Sequence, residues 1–160
     1  MEEEKKQARN KALRLLAARN IPSQLLCRKL IMKGFSESIA HETVKWAEEL
    51  GYVNDDEYIR AVIRQELERG HGKRAILWKL RSKGFSEEAV EKEMKESLPR
   101  SLQKETLIKT MAKLHLSKPS DRKKIVTALL RRGFAMDLIY EVIPNMLQKS
   151  VFGDVGSHCL

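Results

Sequence analysis

The chain lacks what several large protein classes require. Its longest uninterrupted apolar runs, Leu15–Ala18 and Ala75–Trp78, are four residues long. A membrane-spanning helix needs about 20, so no membrane partner is expected. Cysteine is nearly absent: Cys27 and Cys159 cannot form a disulfide framework and read as free thiols of a reducing compartment. The start, Met1-Glu2-Glu3-Glu4-Lys5-Lys6, has no apolar core of the kind a secretion signal carries, and a cytoplasmic location is expected. With 8 Gly and 4 Pro in 160 residues the chain is not loop-rich, collagen-like or a linker. No stretch alternates with a period of two over strand length, so no sheet is expected.

What the chain has in quantity is charge and internal repetition. Lys plus Arg number 31 against 22 Asp plus Glu, a net +9, which favours polyanions or an acidic protein surface as partners. Leu30-Ile31-Met32-Lys33-Gly34-Phe35-Ser36 returns as Leu80-Arg81-Ser82-Lys83-Gly84-Phe85-Ser86, and more loosely as Leu130-Arg131-Arg132-Gly133-Phe134-Ala135. The intervals between the glycines are 50 and 49 residues. A near-constant period of this length marks a repeat architecture.

Each copy reads as three short helices. A Gly after Lys33, Lys83 or Arg132 can take the left-handed conformation that closes a helix, and a basic last turn suits the negative end of the helix dipole. The following Phe can fold back onto the helix just ended. Ser36 and Ser86 then serve as N-caps, with Glu37 and Glu87-Glu88 in the next first turn. The second helices carry apolar pairs at i, i+4: Leu26 and Leu30, Ile76 and Leu80, Val126 and Leu130. The third helices show Ile39, Thr43, Trp46 and Leu50, then Val90, Met94 and Leu98, then Ile139, Ile143 and Met146 with Leu138, Val142 and Leu147 beside them. The first helices span about Ala8–Arg19, Asp55–Arg69 and Leu102–Leu116. Pro144 should kink or stop the last helix. The expectation is an all-α protein, an elongated curved array of three tandem three-helix repeats. Their bounds are 1–53, 54–99 and 100–150, with a flexible tail at 151–160.

Charge is segregated within this frame. The second helices are basic: Arg28, Lys29 and Lys33; then Lys73, Arg74, Lys79, Arg81 and Lys83; then Arg122, Lys123, Lys124, Arg131 and Arg132. The third helices of the first two repeats are acidic, with Glu42, Glu48 and Glu49, then Glu87, Glu88, Glu91, Glu93 and Glu96. Aligned second helices would form a basic stripe able to hold nucleic acid through counterion release. The plainer alternative is a solvated face kept for solubility. Trp78, flanked by Arg74 and Arg81 at i−4 and i+3, is either a stacking or anchoring ring or a contact to the neighbouring repeat.

Catalytic signatures are missing. Asp55-Asp56-Glu57 could suggest a metal-dependent nuclease but reads better as a helix start, with Asp55 or Asp56 as N-cap. His41, His71, His115 and His158 share no metal-ligand spacing with each other or with either cysteine. No phosphate loop, nucleophile elbow or HExxH motif occurs, and Gly70-His71-Gly72 lacks the strand a dinucleotide loop needs. No metal, no cofactor and no enzymatic activity are expected.

The second repeat carries a more specific pattern. Leu50-Gly51-Tyr52-Val53-Asn54-Asp55-Asp56-Glu57-Tyr58-Ile59, then Gly70-His71-Gly72, then Ile76, Leu80, Lys83 and Gly84 resembles the signature of the RecX family. Ala75 stands where that signature has a basic residue, and Arg74 precedes it. The resemblance extends from Ala8 to Leu147. It implies a non-catalytic modulator, mainly an inhibitor, of the RecA recombinase, in the setting of DNA repair, homologous recombination and the SOS response. Such proteins lie in the helical groove of the RecA filament on single-stranded DNA. There they suppress ATP hydrolysis, strand exchange and filament growth. Weak direct contact with DNA and a monomeric state are further expectations. Two other readings stand beside it: a sequence-independent nucleic-acid-binding protein, and a helix-turn-helix transcription factor. The latter lacks a reading helix that opens with Asn, Gln and Arg.

Overall fold

The computed structural model describes residues 1–116 and 118–144. The described residues are all-helical: α1 (Glu2–Ala18), α2 (Ser23–Met32), α3 (Glu37–Glu49), α4 (Asp55–Glu68), α5 (Lys73–Ser82), α6 (Glu87–Ser97), α7 (Arg100–Lys113), a 3-10 turn (Pro119–Asp121), α8 (Arg122–Arg131) and α9 (residues 136–144). Three consecutive three-helix repeats account for this order. The tail at 151–160, Met146, Leu147, His158 and Cys159 lie outside the described residues, as does the chain beyond Pro144.

The predicted closures form at all three glycines. Gly34, Gly84 and Gly133 have φ of +100°, +84° and +90°. The Phe35 N–H donates to the Leu30 carbonyl at 3.2 Å, and the Phe134 N–H to the Leu129 carbonyl at 3.1 Å, satisfying carbonyls the helix end would leave bare. Phe85 and Phe134 are buried and Phe35 half-buried, so each ring does fold back under the turn. The N-caps also form: Ser36 Oγ accepts from the Ile39 N–H and Ser86 Oγ from the Ala89 N–H, both at 3.3 Å. α7 ends on the same left-handed turn without glycine, at His115 with φ +54°.

The described residues gather into two compact units, Met1–Ala61 with Lys79–Glu93, and Val62–Trp78 with those from Met94 onward. In the first, Ala12, Ile21, Leu26, Leu30, Ala40, Val44 and Ala47 form a core sealed by Leu15, Leu16, Phe35 and Trp46. In the second, Leu107, Met111, Ile125, Leu129, Phe134, Ile139 and Ile143 form the core. The apolar pairs of the first two repeats, Leu26/Leu30 and Ile76/Leu80, are fully buried as expected. The third is not the expected pair. Ile125 and Leu129 are fully buried, while Val126 and Leu130 are half-buried at the core margin. The glycine interval shrinks from 50 to 49 residues here, which moves the inward face back by one position.

The Gly70-His71-Gly72 segment has a steric reason. The Gly72 N–H donates to the Arg132 carbonyl at 2.8 Å and the Arg74 N–H to the Gly133 carbonyl at 3.0 Å. The start of α5 therefore sits backbone against backbone on the closing turn of α8. Any Cβ on Gly72 would lie 2.5 Å from the Phe134 nitrogen. In the other unit the corresponding approach is looser: the nearest atom to a Cβ on Gly84 is Gln24 Oε1 at 3.9 Å.

Candidate functional site

The basic second helices keep their charge at the surface. Arg28, Lys33, Lys73, Arg74, Arg81, Arg122, Lys123, Lys124 and Arg131 are exposed; Lys29, Lys79, Lys83 and Arg132 are half-buried. Burial of the i, i+4 apolar rows turns these side chains outward, because a helix that commits one face to the core presents the other to water. In the second unit the joint at Gly72 and Gly133 brings Lys73 and Arg74 next to the turn that follows Arg131 and Arg132, so two basic helices meet end to end.

The cations are not equivalent. Arg132 donates from Nη1 to the Arg69 carbonyl at 3.1 Å and so helps close α4. Lys83 lies 5.6 Å over the Tyr58 ring, with Nζ 3.4 Å from the Tyr58 hydroxyl, and Tyr58 in turn packs on Phe85. These two cations contribute to the scaffold. Arg81 pairs with Glu87 at 3.3 Å, both side chains well exposed, an arrangement worth little stability. Trp78 is 74% exposed. Most of its surface faces solvent. Arg74, one turn earlier on α5, is exposed with it.

Several acidic residues hold other parts of the chain. Asn54, not Asp55 or Asp56, caps α4: its Oδ1 accepts from the Glu57 N–H at 3.1 Å. Asp55 instead reaches the start of α2, accepting from the Ser23 N–H at 2.9 Å and from its hydroxyl at 2.6 Å. Asp56 pairs with Lys92 at 3.5 Å. Among the described residues no three His, Cys, Asp or Glu side chains gather as metal ligands. Glu93, one of the acids that mark the third helix of the second repeat, is buried and held by Arg60 at 3.1 Å. Glu66 is also buried, bound to Arg69 at 3.1 Å and to His71 Nδ1 at 2.5 Å.

A groove of about 720 Å³ lies between α2 and α3, lined by Cys27, Arg28, Ile31, His41, Lys45 and Glu48 among others. Cys27 Sγ is 3.7 Å from His41 Nδ1. Burial, and then the nearby Glu37, push the Cys27 thiol above its ordinary range. A thiol raised in this way is a weaker nucleophile and metal ligand than an ordinary one. Burial, with Asp55 adding repulsion, raises Glu48 as well.

Two other rings carry cations that sequence spacing does not pair with them. Arg9 lies 5.0 Å over Trp46, which packs on Tyr52 with centroids 5.9 Å apart. Arg122 lies 5.8 Å over Tyr140. In each case the cation and its ring belong to different helices, and no local motif links them.

The family model for the second three-helix domain of RecX matches residues 54–94, the span of the Asn54 cap, Gly72 and the exposed Trp78. The Regulatory protein RecX of Caldanaerobacter subterraneus subsp. tengcongensis is 30% identical over 142 residues, covering 88% of this chain and 71% of that protein. The chain belongs to the RecX family. A second RecX, from Vibrio parahaemolyticus, is 30% identical over 131 residues and aligns with 80% of this chain and 84% of its own length. The crystal structure of RecX from Lactobacillus salivarius shares the fold, with a TM-score of 0.79 at 23% identity over 91% of this chain and 98% of that one. Both relatives are named as regulatory proteins, and the three-helix repeats described above are the RecX architecture.

Proposed function

We propose that this protein regulates a RecA recombinase, mainly as an inhibitor. It binds in the helical groove of the RecA–single-stranded DNA filament and suppresses ATP hydrolysis, strand exchange and filament growth. The repeats at 1–53, 54–99 and 100–150 are its working units, and it acts as a cytoplasmic monomer. The observation that carries this reading is the outward display of the basic second helices in a chain that belongs to the RecX family.

The physical mechanism needs no catalysis. Exposed Arg and Lys on α2, α5 and α8 meet acidic filament surface or strand phosphates, and each neutralised phosphate releases counterions. Occupying the groove excludes incoming duplex. Preferential affinity for one filament conformation shifts the filament toward it, by no more than the difference in affinity between the two. The exposed Trp78 beside Arg74 supplies an apolar anchor within the charged surface.

The test is RecA ATPase on single-stranded DNA with increasing amounts of the protein, paired with co-sedimentation on preformed filaments. Inhibition together with co-sedimentation is expected. Unchanged hydrolysis at several-fold excess over RecA, with no protein in the filament pellet, would overturn the reading. The second reading, a general nucleic-acid-binding protein, is favoured by the rings that lie among cations on this surface. It predicts tight binding to naked strands at low salt, lost steeply as salt rises, and no dependence on the recombinase.

A further inference from the structure

The third repeat carries a groove in which an aromatic ring joins the α8 cations. It measures about 440 Å³ and is lined by Arg122, Lys123, Val126 and Thr127 of α8 and by Tyr140 of α9. Tyr140 is 47% exposed. The Arg122 guanidinium lies over its ring at 5.8 Å, held there by the ring quadrupole. The guanidinium covers one side of the ring, and the stacked pair lines the groove beside the aliphatic Val126.

The charge around this groove is mainly basic, with Asp121 at the N-cap of α8 the acid beside Arg122. The acids that flank Tyr140 on α9 are engaged by α7: Asp137 with Arg100 at 3.2 Å, and Glu141 with Arg100 at 2.6 Å and with Lys104. Arg122, Lys123 and Lys124 follow one another at the start of α8, whose first turn holds no acid. None of the three pairs with a described carboxylate. The electrostatics therefore call for an anion, and the planar surface calls for a planar group beside it.

We infer that this groove binds single-stranded nucleic acid, one base stacking against the Tyr140–Arg122 pair and the adjoining phosphates meeting Lys123 and Lys124. A nucleotide joins a π-face to a phosphate within one residue, which matches both demands. An acidic peptide supplies the charge without the plane. A duplex keeps its bases stacked on one another and offers only the phosphates. The inference rests on the filament reading for its biological setting alone, because naked strand suffices to test it.

The experiment measures fluorescence anisotropy of a labelled oligothymidine with the full chain. Tyr140→Ala is expected to weaken binding by roughly five- to a hundredfold, as removal of one stacked base does. Tyr140→Phe, which keeps the ring, should stay within about twofold of the parent. Arg122→Gln should weaken binding and reduce the salt slope by about 0.7. In the unaltered protein, an iodouracil-substituted oligonucleotide should photocrosslink to Tyr140, a readout independent of how any variant folds. Parent-like binding by Tyr140→Ala would overturn the inference, as would an equal loss on duplex of the same length. A Tyr140→Ala protein that binds oligothymidine normally but no longer inhibits RecA would also overturn it, and would reassign the groove to a protein partner. Weakened strand binding by Tyr140→Ala, in a protein whose parent leaves RecA untouched, would instead uphold this inference and reject the filament reading.

Discussion

Gly72 and Gly133 meet with no room for a side chain: a Cβ on Gly72 would fall 2.6 Å from the Gly133 carbonyl carbon, and a Cβ on Gly133 would fall 2.5 Å from the Ala75 nitrogen. Backbone cannot yield to such an approach as a flexible side chain can. Gly72→Ala should therefore cost about 1–3 kcal/mol, the range for overpacking. Gly133→Ala should cost more, since its φ of +90° adds strain of its own. Gly34→Ala isolates that strain, because its φ is +100° with nothing within 4 Å. Urea unfolding of the three variants checks the order, and equal losses at all three would refute the packing argument.

Asp55 opens α4 but caps α2. Removing it leaves the Ser23 N–H without its acceptor at the start of α2, which no side chain of that segment caps. Asp55→Ala should destabilise by about 0.5–2 kcal/mol, as removal of an N-cap does. Asp56→Ala, which breaks only the part-exposed pair with Lys92, should stay within about 0.5 kcal/mol. Thermal melts of the two variants separate these outcomes.

The shifted register of α8 is testable by truncation. Leu80→Ala and Leu129→Ala each empty a fully buried site and should cost about 2–5 kcal/mol. Leu130→Ala, at a half-buried position, should cost clearly less than Leu129→Ala. Denaturant midpoints that reverse this pair would place the inward face where the i, i+4 spacing of Val126 and Leu130 put it.

Glu141 gives a pH dependence of known sign. The Lys104 ammonium first, then the Arg100 guanidinium, hold its carboxyl below its ordinary value of 4.5. A carboxyl depressed in the folded state stabilises fully above its unfolded value and loses that contribution as pH falls through the folded one. Glu141→Gln should therefore melt lower than the parent at neutral pH, and the gap should close in acid below pH 4.5. Added salt should shrink the neutral-pH gap, because the group lies at the surface. A gap unchanged between pH 7 and strong acid would refute the ion-pair origin.

Lys73, Arg74, Lys79 and Arg81 changed together to Ala should weaken filament inhibition and leave helicity intact. None of the four is buried, and Ala favours helix. For every phosphate the variant no longer neutralises, the single-strand salt slope should fall by about 0.7. Unchanged circular dichroism with undiminished inhibition would make the α5 cations solvated surface.

The amino-acid sequence by itself determined the helices, their closing glycines, the Ser36 and Ser86 caps, and the inward faces of α2 and α5. Each of these is settled among residues within two turns of one another, so periodicity and capping chemistry express it directly. Tertiary structure alone decided the rest. Asp55 finds Ser23 at a separation of 32 residues, and Glu93 finds Arg60 at 33. Tyr140 finds Arg122 on another helix, and Gly72 finds Gly133 in another repeat. The one-residue slip in α8 belongs with these, because a row of adjacent apolar or small side chains suits either face until the core chooses one. Buried carboxylates look like surface ones in a sequence; only packing shows which cation encloses them.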